Sequence, residues 1–222
     1  RISRVLANVA PHNVKRYRII IEQAAIPMVE TVVDAPEFRA QARYERLQYD
    51  IPSTYVRQNP QLDDVNWQFA NQNRGLNFSL ETFWIQMLGN PEAFFMYQGG
   101  VLPGASYVFN ENWSLGGALK VTLLDNFDKF NFKVDALDTP LPRVRTYVRE
   151  YVTRKKITMD TLYGNWQDRL APNLYGQLYG GYLETMYGGV GGEILYRPVD
   201  SNFAIGVDMN YVRQRSFEND VD

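Results

Sequence analysis

WSLGGALKVTL, residues 113–123, decides the fold, because its two parities differ in chemistry. The odd positions are Trp113, Leu115, Gly117, Leu119, Val121 and Leu123; the even ones are Ser114, Gly116, Ala118, Lys120 and Thr122. In a strand, successive side chains point to opposite faces, so this stretch makes a ribbon that is greasy on one side and small or polar on the other. The pattern recurs twice. Phe203, Ile205, Val207, Met209 and Tyr211 alternate with Ala204, Gly206, Asp208 and Asn210, and Leu76, Phe78, Leu80, Thr82 and Trp84 alternate with Asn77, Ser79 and Glu81.

Weaker runs of the same kind lie at Phe95–Phe109, Arg143–Val152, Ile157–Gln167, Leu174–Leu183 and Gly188–Arg197. Together they predict roughly eight strands of about ten residues, the length that crosses a bilayer at the tilt of a barrel wall. Asn110–Asn112 and Pro198–Asn202 read as turns, and 125–142 as a long polar loop. Leu183–Gly189 fits either a turn or a continued strand. Aromatics fall at strand ends, at Trp84, Tyr97, Phe109, Trp113, Trp166, Tyr182, Tyr196 and Tyr211, where the interfacial girdles of a barrel belong. The polar faces are rich in Gly, Ser and Ala. A solvated soluble sheet carries a Lys/Glu mix instead.

Gly75 is the first of the 16 glycines, and the composition changes there. Upstream, Ile2, Val5, Leu6 and Val9 recur at helical spacing up to Pro11. YRIIIEQ (17–23) and MVETVV (28–33) are β-rich runs that make a hairpin, and Asp34 caps a helix with Pro36 in its first turn. The expected organisation is therefore mainly β. An α-β-β-α domain over 1–44 and a polar, proline-punctuated connector over 45–75 precede an antiparallel transmembrane β-barrel wall over 76–222.

Composition narrows the chemistry. The net charge of −2 provides no field for nucleic acid, and the absence of cysteine removes disulfides, thiolate metal sites and a cysteine nucleophile. His12 is the only histidine, so a multi-histidine metal centre is excluded. No run of about 18 apolar residues makes a spanning helix. The alternation of a barrel strand hides from any hydropathy average. Arg1 begins the chain with nothing resembling a signal peptide near it, so the sequence reads as the mature portion of a longer protein.

Arg143, Arg145 and Arg149, interleaved with Tyr147 and Tyr151, read as one face of a strand. A guanidinium in mid-bilayer costs about 2–4 kcal/mol, so that face has to look inward. Functionally, an arginine and tyrosine ladder suits an acidic or hydroxyl-rich glycan. Structurally, the same arginines pair with lumen acids such as Glu81, Asp160, Glu193 and Asp208 to hold the wall. Glu184, Glu193 and Asp208 do not specify a catalytic pair without distances. YGGVGG (187–192) is followed by a strand rather than a helix, which removes the phosphate-loop reading. Arg154–Lys156 is a short basic turn.

LPRVRTYVRE (141–150), YGGYLETMYGGVGGEILYRP (179–198) and AIGVDMNYVRQR (204–215) resemble the YjbH/GfcD family of outer-membrane exopolysaccharide and capsule proteins. The resemblance implies a large barrel, or paired barrels, with small periplasmic domains, so that residues 1–75 are periplasmic and the chain contributes part of a larger wall. It implies a non-enzymatic role in polysaccharide export or surface assembly, with exopolysaccharide, outer-membrane lipid and periplasmic export proteins as partners, and no cofactor. Arg143, Arg145, Tyr147, Arg149, Tyr151, Glu193 and Asp208 are then the glycan-binding or lumen-lining residues. Two alternatives stand beside it: a structural or glycan-binding outer-membrane barrel without transport, and a soluble lipocalin-like barrel. Relative to a complete family member, the chain lacks a lipoprotein segment and a closing strand with a terminal aromatic, and it ends in the polar stretch Asn219–Asp222.

Overall fold

Helical spacing at the amino terminus produces α1 (Ile2–Val9), which buries Ala7 and packs Leu6 on the core while Ile2, Val5 and Val9 stay exposed. In the computed structural model, residues 1–23, 26–46, 48, 50–61, 74–89, 93–129, 145 and 147–217 are described. Strands β1 (Arg16–Gln23) and β2 (Ile26–Asp34) pair antiparallel as the hairpin expected, with Tyr17 opposite Val33 and a register shift at Ile21/Glu22. The hairpin turn at Ala24 and Ala25 lies outside the described residues. Helix α2 (Ala35–Ala42) begins as its sequence dictates: the Asp34 carboxylate accepts the Glu37 amide at 3.0 Å, with Pro36 in the first turn.

A third strand, β3 (Tyr55–Gln58), comes from within the stretch 45–75 and pairs with β2, placing Val56 opposite Val32. The small sheet therefore runs β1-β2-β3. Ala7, Tyr17, Val33, Ala35 and Phe38 form its buried core. Full burial of a side chain the size of Val33 or Phe38 contributes roughly 1.5–3 kcal/mol. Arg39 is buried and pins the chain leading into β1, donating to the carbonyls of His12 and Val14 at 3.0 Å each.

The alternating region forms β4 (Gly75–Leu88), β5 (Phe95–Val108), β6 (Trp113–Asp125), β7 (Ile157–Ala171), β8 (Leu174–Tyr182), β9 (Tyr187–Tyr196) and β10 (Ile205–Gln214). They form one antiparallel sheet in sequence order, β10-β9-β8-β7-β6-β5-β4. Among the described residues this sheet does not close on itself; β4 and β10 are its edges. Among the described residues, short connections join β5 to β6, β7 to β8 and β8 to β9. Between β7 and β8, Asn173 takes a left-handed conformation with φ 64°, which its short polar side chain tolerates. Leu183–Met186 is a turn, and β9 starts at Tyr187.

Seven of the eight expected strands are present, and Arg143–Val152 is the correction. Val148–Thr153 is a helix, α3, while Arg143 and Val144 lie outside the described residues. The loop reading of 125–142 is described only to Lys129, with a 3₁₀ turn at Phe127–Lys129. No helix among the described residues is long and apolar enough to cross a membrane, which bears on helices alone.

The chain divides into two compact units. One comprises Arg1–Asn71, Asp168–Gly176 and Ile194–Val207; the other comprises Gln72–Gln167, Gln177–Glu193 and Asp208–Asp222. In the first, the Tyr175 hydroxyl donates to the Met28 carbonyl at 3.2 Å. The second is the strand unit, and its two faces carry the chemistry below.

Candidate functional site: the polar face of the strand unit

Register turns the alternation of single strands into faces. Leu76 pairs with Tyr107 and Tyr107 with Leu115, Phe78 with Ala105 and Ala105 with Gly117, and Leu119 with Met159, so one face is apolar from β4 to β7. On it an open depression of about 520 Å³ is lined by Leu76, Phe78, Pro103, Tyr107, Leu119 and Leu162 among others. It carries no polar chemistry. This face is not packed against a core: Leu115 is 44% and Leu119 40% exposed, and beyond the strand unit Ile205 and Val207 are 54% and 60% exposed. Two aromatic groups bound it. Trp84 stacks on Tyr97 with centroids 5.4 Å apart at one end; at the other, Tyr107 meets Phe109 edge-on at 4.8 Å and Trp113 pairs with Trp166.

The opposite face is polar. Ser114 pairs with Asn165, and the Gln177 amide donates to Asn165 Oδ1 at 2.7 Å. Two residues along β8, the Tyr179 hydroxyl lies 3.0 Å from Asp208 Oδ2 and 2.8 Å from Asn210 Oδ1, and the Asn210 amide donates in turn to Asp208 Oδ1. Glu193 belongs to the same face, since it stands two residues from Gly191, whose missing Cβ points at Tyr179 and Asn210. Glu193 and Asp208, both named in the sequence reading, thus lie on the same face of the strand unit. Tyr179 and Asn210 were not in that reading; the signal for them was the same parity, with Tyr179 two residues after Gln177 and Asn210 two after Asp208.

The arginine ladder does not exist as a strand face. Arg145 lies in a turn and pairs with Glu184 at 2.7 Å, while Arg149 lies on α3 beside Glu150 at 3.1 Å. Tyr147 and Tyr151, four apart, both meet the Phe217 ring edge-on at 5.5 and 5.4 Å. That geometry explains the correction, because this stretch has apolar and aromatic residues at helical spacing as well as alternating: Val148 and Val152 pack together against Met96 and Phe127.

Through that packing α3 lies over the polar face, at the end where β6 leads into β7. Gln98, on the polar parity of β5, is 2% exposed and donates to the Val152 carbonyl at 3.3 Å. Arg215, a residue the sequence reading did not single out, fastens this end. Its guanidinium donates to the carbonyls of Met159 and Glu184 at 2.9 Å each and stacks 4.2 Å from the centre of the Tyr182 ring. Tyr151 donates to the Arg215 carbonyl, and burial pushes the Tyr151 hydroxyl pKa up, so the proton that makes this bond is retained at neutral pH. Arg143 itself lies outside the described residues.

Chemically, the polar face offers hydroxyl-binding amides and carboxylates beside tyrosine rings. Among the described residues no three histidine, aspartate or glutamate side chains converge as metal ligands do.

Comparison with known proteins places these features in a family. The sequence model for YjbH, described as "Exopolysaccharide biosynthesis protein YbjH", matches residues 1–222. The chain is 38% identical over 220 residues to a protein of Escherichia coli (strain K12) described as "Uncharacterized lipoprotein YjbH", covering 98% of this chain and 31% of that protein. It therefore spans about a third of the length of the curated relative it matches. No solved structure matches it.

Proposed function

Because the chain belongs to the YjbH exopolysaccharide biosynthesis family, we propose that β4–β10 are part of an outer-membrane β-barrel wall that serves, without catalysis, in export or surface assembly of an exopolysaccharide. One observation carries the membrane half: an exposed apolar face bounded by aromatics at both ends. On β5, Tyr97 and Tyr107 are ten residues apart. At ~3.3 Å per residue and a tilt of about 40° this is roughly 25 Å of height, the span of an outer-membrane apolar band. Between these ends the paired positions on the apolar face, from Phe78 on β4 to Leu162 on β7, carry no charge.

Open edges at β4 and β10 are not viable in hydrocarbon, where every backbone group needs a partner, so further strands have to complete the wall. The K12 relative, described as a lipoprotein and about three times as long, supports a membrane setting and room for those strands. The long connection from β6 to β7 is assigned to the outside and the shorter turns before β6 and β8 to the periplasmic side, with residues 1–75 periplasmic. Exopolysaccharide then meets the polar face, where Glu193 and Asp208 lie. A soluble lipocalin-like barrel requires the apolar parity inside, and the exposure of Leu115 and Leu119 counts against it.

With no cysteine in this chain, and any elsewhere in the full-length protein replaced, single cysteines test the orientation. In the full-length protein in whole cells, Leu119→Cys should react with lipid-phase reagents and Lys120→Cys with aqueous ones; the reverse labelling sinks the barrel orientation. Deleting the intact gene should lower surface polysaccharide while synthesis continues, and unchanged surface polymer removes the export role.

A second reading, a structural or glycan-binding barrel without transport, draws on α3, which lies over the polar face and is held there by Gln98. Planar-bilayer conductance of the full-length protein separates the two, since a plugged wall stays closed.

A further inference from the structure

We propose that the polar face carries a sugar-stacking platform, Tyr179, whose flanking Asp208, Asn210 and Glu193 make it a subsite for neutral or amine-bearing sugar residues rather than acidic ones. The proposal rests on the barrel reading only for the idea that polysaccharide reaches this face. Its geometry is local to β8, β9 and β10.

The platform exists because of a glycine. A Cβ on Gly191 would stand 2.6 Å from both Cε2 and Cζ of Tyr179 and 2.2 Å from Asn210 Oδ1, so the ring lies directly against the β9 backbone with no side chain beneath it. A tyrosine laid over a strand glycine covers the backbone on one side. Tyr179 is only partly buried, so part of it stays open to a ligand. Its hydroxyl is held by Asp208 Oδ2 at 3.0 Å and Asn210 Oδ1 at 2.8 Å, and those two side chains are joined to each other. The ring is therefore fixed before any ligand arrives, and little rotamer freedom remains to be lost on binding.

The chemistry of the ligand follows from what surrounds the ring. One face of a pyranose presents its C–H groups, whose partial positive charge complements the negative face of an aromatic ring. The sugar hydroxyls at the rim are donors, and ionised Asp208 and Glu193 are pure acceptors with several lone-pair sites each. An ammonium suits the same two carboxylates. A uronate does not: its charge would meet the like charges of Asp208 and Glu193, and that repulsion, even near water, weakens binding by roughly ten-fold. This reverses the ligand class that an arginine ladder would have selected.

The test uses the full-length protein in lipid nanodiscs and isothermal titration with three probes: maltohexaose, a chitosan hexamer and a galacturonate hexamer. The first two should bind, and the galacturonate at least about ten-fold more weakly. Tyr179→Ala should weaken maltohexaose by about five- to ten-fold, while Tyr179→Phe, which keeps the ring but loses the hydroxyl that fixes it, should fall between Tyr179→Ala and the wild type. Gly191→Ala should match Tyr179→Ala, since its methyl displaces side-chain ends rather than backbone and lifts the ring off the wall. Pairing Glu193→Gln with Asp208→Asn should bring galacturonate up to the level of maltohexaose. The subsite is refuted if Tyr179→Ala and Gly191→Ala both bind as wild type, if galacturonate binds most tightly, or if no probe binds the wild type. Heat-modifiable mobility of each variant, read in parallel, reports the barrel itself; a protein that fails there but still shows the Tyr179 dependence sinks the membrane reading and leaves the subsite standing.

Discussion

Phe38 and Phe78 put the same side chain into opposite circumstances. Phe38, on α2, is 4% exposed within a core that also holds Val33 and Tyr17; Phe78, on β4, is 78% exposed on a face shared with Leu76 and Leu80. The small unit satisfies itself in the manner of a water-soluble domain, with apolar groups inside, α2 capped by Asp34, and buried Glu30 and Arg39 hydrogen-bonded. The strand unit satisfies its backbone but leaves its apolar face outward. A contiguous exposed surface of this kind needs a nonaqueous neighbour. For a meander whose opposite face is polar, the barrel proposed above would make the bilayer that neighbour.

Equal substitutions in the two regions should therefore differ in kind. Phe38→Ala in the full-length protein is expected to cost about 3–5 kcal/mol locally, whatever the lipid, by the usual cost of emptying a core phenylalanine. Hydrogen exchange over residues 16–58 measures it. Phe78→Ala should leave that protection unchanged and instead weaken bilayer insertion by roughly 1.5–3 kcal/mol, the loss of one phenylalanine from hydrocarbon. If both variants disturb the same protected amides, the contrast between the units collapses.

The next effect sharpens the contrast within the strand unit. Leu119 and Ala118 are neighbours at the middle of β6, on opposite faces. Leu119→Arg should cost about 2–4 kcal/mol in urea-induced refolding into vesicles, as expected near the bilayer midplane, and Ala118→Arg far less because it meets an aqueous lumen. Equal penalties would mean that neither face touches lipid.

How far the sequence reveals these two environments depends on the range of the interactions involved. Asp34 is readable as a cap because its partner, the Glu37 amide, is three residues away, and the strands are readable because face alternation is written residue by residue. β3 is not readable: Tyr55–Gln58 is a short polar stretch that becomes a strand only by pairing with β2, and nothing local announces Val56 opposite Val32. The stretch around Val148 misleads for a different reason. Its valines and tyrosines satisfy both a period of two and a spacing of four, and the choice is made by Met96 and Phe127, which are remote in sequence. Asp208 is legible by parity on its strand, whereas its link to Tyr179 over Gly191 is not, because it joins side chains from three different strands.

The smallest expected effect separates the units by pH. Glu30 is fully buried on β2, and the Arg18 guanidinium bonded to it holds its carboxyl below the ordinary 4.5; burial pulls the other way, and the Gln61 amide at 2.9 Å adds to the lowering. Between the lowered folded pKa and the unfolded value near 4.5, the unfolded chain binds more protons, so stability rises with pH across that window. The Glu30 contribution is thus complete above about pH 4.5 and fades as acid carries the solution down through the folded pKa. Hydrogen-exchange protection factors of β1 and β2 in the full-length protein, corrected for the intrinsic rate at each pH, should fall on acidification from pH 5 to pH 3, and Glu30→Gln should flatten that dependence. In the proposed barrel the lipid anchoring of β4–β7 would come from uncharged side chains, so heat-modifiable mobility should move less over the same range. An acid sensitivity that survives Glu30→Gln, or that appears first in the strands, would place the titrating group elsewhere and remove the electrostatic part of the difference between the two units.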